Sequence, residues 1–192
     1  MKLRTLAQLC TALVFGASVQ LASAATDRPE CIAPAKPGGG FDLTCKLAQS
    51  GLQDTKTISE PMRVTYMPGG IGAVAYNAVV AQRPSDGNAI VAFSGGSLLN
   101  LALGKFGKYN ENDVRWLAAV GTDYGMVAVR ADAPFKTLKD LMVALKQDPT
   151  KVVFGAGGTV GSQVWTTAAL VAKAAGDAPK PFGFVAVGGG GE

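Results

Sequence analysis

No histidine occurs anywhere in the 192 residues. Its absence excludes Ser-His and Cys-His nucleophilic pairs, histidine-ligated zinc and the usual proton shuttle near neutral pH. Charge is sparse too: 18 basic against 14 acidic residues leave a net +4, which gives no nucleic-acid footprint. Cysteine is confined to three positions, Cys10, Cys31 and Cys45. Beyond the first apolar stretch there is no second long one, so nothing later in the chain is expected to span a membrane.

That first stretch reads as a processing signal over residues 1–24. Lys2 and Arg4 supply the positive start, residues 6–21 the apolar part, and Ala22-Ser23-Ala24 the small-residue cleavage pattern. Ala7-Gln8-Leu9 before Cys10 is a poor lipoprotein signal, so an exported chain beginning near Ala25 is expected rather than a lipid-anchored one. Removal of the leader leaves 16 basic and 14 acidic residues, a balance of +2. It also leaves two cysteines. In an exported protein Cys31 and Cys45 read as a disulfide, with two small buried thiols as the alternative.

What the chain has in quantity is glycine, 25 residues, and the stretch that organises it is Lys36-Pro37-Gly38-Gly39-Gly40-Phe41-Asp42-Leu43-Thr44-Cys45. An apolar strand over 31–35 enters it and a helix over 42–52 leaves. Three glycines at such a joint let the backbone approach a ligand, and the first helical turn points unpaired N–H groups at it. That outlines an anion site. Lys36 is the loop's only cation and no Gly-Lys-Ser ending is present, so a carboxylate fits better than a triphosphate. The alternative is a flexible turn with nothing bound.

The pattern then recurs. Residues 62–67 read as a strand ending at Pro68-Gly69-Gly70, and 72–81 as a helix. Pro84-Ser85-Asp86-Gly87 is a turn, 89–93 a buried parallel strand, Ser94-Gly95-Gly96-Ser97 a second small-residue joint, and 98–103 a helix. Residues 116–120 and 126–130 are expected as two successive strands. They interrupt the alternation and place a change of lobe, giving a first α/β lobe over 25–120 and a second, incomplete one over 121–192. Thr137-Leu138-Lys139-Asp140 has capping-box spacing and opens a helix to about Lys146. A strand over 151–154, the joint 155–161, a helix over 162–175 and a strand over 182–187 follow. The closing Gly188-Gly189-Gly190-Gly191 promises a further helix, so the sequence reads as part of a longer two-lobed protein.

In open α/β sheets ligands bind outside the carboxyl ends of the strands, where these joints lie. Two opposed helix starts, each with about half a positive charge, suit the carboxylates of a diacid gripped by hinge closure. Ser94, Ser97, Thr159 and Ser162 offer hydroxyls, though each taken alone is more often a helix cap than a ligand contact, and Asp42 is more often a cap than a catalytic carboxylate. No metal cluster and no cofactor is expected. The rival is dinucleotide binding at 155–161, where Gly155-x-Gly157 is followed by a third glycine, Gly161, one residue late.

The order Pro37-Gly38-Gly39-Gly40-Phe41-Asp42, Met67-Pro68-Gly69-Gly70-Ile71-Gly72-Ala73-Val74, Pro84-Ser85-Asp86-Gly87, Phe93-Ser94-Gly95-Gly96, Gly157-Gly158-Thr159 and Val187-Gly188-Gly189-Gly190 resembles the substrate-binding proteins of tripartite tricarboxylate transporters, the Bug family of periplasmic receptors. The resemblance implies a type II periplasmic-binding-protein fold, two α/β lobes around a cleft. It implies a monomeric, non-enzymatic receptor that delivers a carboxylate-bearing solute to membrane permease subunits. The ligand-binding loops it implies are Gly38, Gly39, Gly40, Phe41 and Asp42; Ser94, Gly95 and Gly96; Gly158, Thr159 and Ser162; and Val187, Gly188 and Gly189. A sensor using the same cleft to signal to a membrane kinase is the alternative. The Cys31 and Cys45 pair is not general in that family.

Overall fold

The computed structural model describes residues 29–176 and 182–187. The expected leader, and Gly188 and Gly189 of the last joint, lie outside the described residues. The element order is β1 (Glu30–Ala33), α1 (Gly40–Asp54), β2 (Arg63–Tyr66), α2 (Ala73–Gln82), β3 (Ala89–Val91), α3 (Gly95–Ala102), α4 (Leu138–Gln147), β4 (Val153–Gly157), α5 (Gln163–Ala174) and β5 (Gly183–Val187). Short 3-10 turns at Gly70–Gly72 and Pro149–Lys151 precede α2 and β4.

The architecture is mixed α/β with two small parallel sheets, one ordered β2-β1-β3 and the other β4-β5. β1 is central, and all four of its residues are buried. Its Cys-Ile-Ala sequence carries no polar alternation because both faces are covered. In register, Cys31 lies opposite Val64 on one side and Ile90 on the other. Cys31 and Ala33 pack with Cys45, Met62 and Ala92, flanked by Phe41, Leu52 and Ile58. The Cys31–Cys45 disulfide, Cα to Cα 5.6 Å, lies within this cluster and ties β1 to α1. Tyr76, Leu101 and Phe106 form a second cluster beside Phe93, and Tyr76 donates its hydroxyl to the Asn110 carbonyl. Leu141, Leu145 and Val152 form a third, which joins α4 to β4, α5 and Phe182.

Helix starts follow the cap chemistry. Ser94 caps α3 through the Ser97 N–H, and Ser162 caps α5 through the Trp165 N–H. Thr137 and Asp140 complete a reciprocal capping box at α4, aspartate serving where glutamate is usual. Because Ser94 is the cap, α3 begins at Gly95, three residues before the apolar pattern suggests.

The two strands expected at 116–120 and 126–130 are absent: both segments are outside any ladder. Their β-branched and aromatic content suits a pleated surface, but a strand needs a partner edge for its backbone groups, and none of the described strands supplies one. Trp116 instead donates its indole N–H to the Glu111 carbonyl at 2.9 Å and packs on Phe93, ring centroids 5.3 Å apart. Leu117, Tyr124 and Met126 stay exposed.

Candidate functional site

The sheet order fixes where a site can form. β1 lies between β2 and β3, so the chain crosses over β1 on its way through α2, and the turns leaving β1 and β3 diverge at the carboxyl ends of those strands. Gly72 fills that switch point: a Cβ there would lie 3.5 Å from Ser97 Oγ, 3.6 Å from the Phe93 ring and 3.7 Å from Pro34. The turn reaching it is left-handed throughout, with φ of 136° at Gly69, 57° at Gly70, 58° at Ile71 and 98° at Gly72. Ile71 is the one β-branched residue held there, a conformation that costs roughly 1–2 kcal/mol. The Ile71 side chain packs toward the other sheet's turn, 3.7 Å from where a Gly158 Cβ would sit.

The turn after β4 therefore meets the turns after β2 and β3. Gly158 donates its N–H to Val187, the last residue of β5, at 3.2 Å. Gly96, in the first turn of α3, abuts the first residue of α5 so closely that a Cβ would lie 2.7 Å from the Gln163 backbone nitrogen. Only glycine permits that approach. One turn further along α3, buried Asn100 donates its side-chain amide to the Gly96 carbonyl at 2.7 Å and to the Gly161 carbonyl at 2.9 Å. Lys105 reaches the same place, its ammonium 3.2 Å from the position a Gly161 Cβ would take.

The glycine loop 38–42 is built differently. Asp42, 2 % exposed, takes three donors: Gly38 N–H at 2.7 Å, Lys46 Nζ at 2.8 Å and the Tyr66 hydroxyl at 2.9 Å. The bonds from Lys46 and Gly38 outweigh desolvation and hold its pKa below the ordinary aspartate value, and the same contact raises that of Lys46. The loop is thus closed by its own carboxylate, which compensates the positive start of α1 from inside. α3 and α5, by contrast, have no acidic residue in their first turns. Their two starts meet across the Gly96–Gln163 contact, and neither first turn supplies a counter-charge of its own.

The sequence-derived candidates accordingly separate. Ser94, Gly95, Gly96, Gly158, Ser162 and Val187 come together around this junction, while Gly38, Gly39, Gly40, Phe41 and Asp42 form a neighbouring loop whose linking contact is Asp42 with Tyr66 at the end of β2. Ser94 and Ser162 spend their hydroxyls as caps, Ser94 Oγ also 2.9 Å from Ser97 Oγ, whereas Thr159 is exposed. Gly155 and Gly157 lie inside the β4 ladder opposite Val185 and Val187, so they do not form the turn that a pyrophosphate needs. Sequence reasoning missed Asn100, Lys105, Gln163 and Ile71. Asn100 had left one signal, a lone amide within Leu98-Leu99-Asn100-Leu101-Ala102. Among the described residues no group of three or more His, Cys, Asp or Glu is placed to hold a metal ion, and no helix is long and apolar enough to cross a membrane.

No family model matches the chain. It is similar to a protein of Pseudomonas sp. (strain P51) named as the UPF0065 protein in the tcbD-tcbE intergenic region, 25% identical over 145 residues. That match covers 75% of this chain and 42% of the relative, so the chain spans well under half the length of the curated relative it matches.

Proposed function

We propose that this chain is part of a solute receptor of the Bug type, one that holds a carboxylate-bearing small molecule between the start of α3 and the start of α5. The observation that carries the reading is the meeting of two uncompensated helix starts beside the switch point, with Gly158 and Val187 alongside. UPF0065, the designation of the similar Pseudomonas protein, is that of the Bug family. The buried disulfide fits an oxidising compartment and hence export to the periplasm. On this reading two α/β lobes of type II periplasmic-binding-protein kind close around the solute and pass it to the permease subunits of a tripartite transporter, without chemical change to the solute.

The test is a thermal-shift and calorimetric screen of di- and tricarboxylates, aromatic acids and acidic amino acids on the protein, with each compound assayed for consumption. Binding without turnover is expected. Turnover of a bound acid, or indifference to the whole set, would remove the receptor reading.

A further inference from the structure

We propose that Asn100 is a positioning latch: its amide fastens the turn before α5 to the first turn of α3 and so holds the two sheet-bearing units in the closed arrangement that the carboxylate site needs. The inference rests on the receptor reading and adds to it a residue that does not touch the solute. Asn100 sits mid-helix, 4% exposed, flanked by apolar neighbours. Both bonds of its side-chain nitrogen go to backbone carbonyls. The bond to Gly96, in the same helix, fixes the side chain's direction before the other unit arrives. The bond to Gly161 then spans 61 residues of sequence.

A second observation, independent of the amide, points to the same junction. Gly96 leaves no room for a side chain against the Gln163 backbone, so the two units are in contact there rather than merely near. Opening would expose the Gly161 carbonyl to water and return the Asn100 amide to its own helix. That is a small change, suited to an equilibrium a solute can bias. An alanine at 100 would leave the Gly161 carbonyl without this donor while closed, which favours opening. An aspartate would face two carbonyl oxygens with a negative charge, and its pKa would be raised until it could donate again as the neutral acid.

The experiment reads the distance between the units directly. In the full chain carrying Cys10→Ser, spin labels on Gln53→Cys in α1 and Lys146→Cys in α4 report the separation by pulsed electron resonance without any ligand. The unmodified latch should give a single short distance. Asn100→Asp should lengthen it at neutral pH and recover it on acidification to about pH 4, near the ordinary carboxylate range, while the parent distance stays constant. Gly96→Ala should lengthen it at both pH values. Circular dichroism confirms that each variant is folded. With citrate as the probe, Asn100→Ala should raise the dissociation rate about tenfold and change the association rate little. Distances for Asn100→Asp and Gly96→Ala that superimpose on the parent would overturn the latch. If citrate and the other acids fail to bind while the distances shift as stated, the receptor reading falls and the latch stands.

Discussion

Asp42 and Glu30 are the two buried carboxylates of the three-stranded unit, and each is charged for a reason visible in its donors. Glu30, at the start of β1, accepts from Thr65 at 2.7 Å and pairs with Arg83 at 2.7 Å and Arg63 at 3.2 Å. Burial works against its charge, but those bonds outweigh it and hold the pKa below the ordinary glutamate value. Asp42 lies likewise below the ordinary aspartate value. Both groups have folded pKa values under their unfolded ones, so the stability they contribute is complete above about pH 4.5 and is lost as the pH falls through the lower folded values. Urea midpoints measured from neutral pH down to about pH 3 should fall in that window, and Asp42→Asn should flatten the acid limb. Glu30→Gln should cost about 1–3 kcal/mol at neutral pH in the same assay. Most of that belongs to Thr65 and Arg83, because the Arg63 side chain is 70% exposed and its pair is screened. At this scale the sequence read Asp42 as a helix cap, but Gly39 takes that position and Asp42 sits within the first turn of α1, its carboxylate reaching back to the Gly38 N–H four residues away. Asn100 was not readable, because its decisive acceptor belongs to a distant turn.

Elements show the same division between short and long range. The alternation of strand, glycine joint and helix was readable because each rests on local signals: apolar runs, hydroxyl caps and turn residues. Thr137→Ala should therefore lower stability by about 1 kcal/mol, seen as a shift in the urea midpoint of α4 unfolding. The disulfide is also local, 14 residues apart. Its reduction should remove roughly 3 kcal/mol by the loop-closure argument, measured as the difference in urea midpoint with and without dithiothreitol. Thiol counting on the denatured protein should find neither Cys31 nor Cys45 reactive. Residues 116–130 went the other way: apolar, β-branched and aromatic content states that a segment can pleat, and only a neighbouring edge decides whether it does.

At the scale of the whole molecule, the prediction concerns charge at the junction of α3 and α5. Lys105 lies beside the Gly161 turn, so Lys105→Met should weaken binding of a dicarboxylate about two- to tenfold, more at low salt than high, in calorimetric titrations. A neutral solute of the same size should not feel the change. Of the four joints expected to share a crevice, those after β3 and β4 adjoin, together with the turn after β2, while the first glycine loop closes on its own aspartate and the joint at 188–191 lies outside the described residues.

The sequence by itself determined which segments become strands, helices and caps for most of the chain, and which two cysteines pair, because those outcomes depend on neighbours within about fifteen residues. Only the tertiary structure decided the β2-β1-β3 order, and with it the switch point at Gly72. It alone brought Gly96 against Gln163 and Asn100 to Gly161. The physical reason is that helix and turn energies are set by bonds a few residues long, whereas a site between units is set by contacts whose entropy of closure no local pattern records.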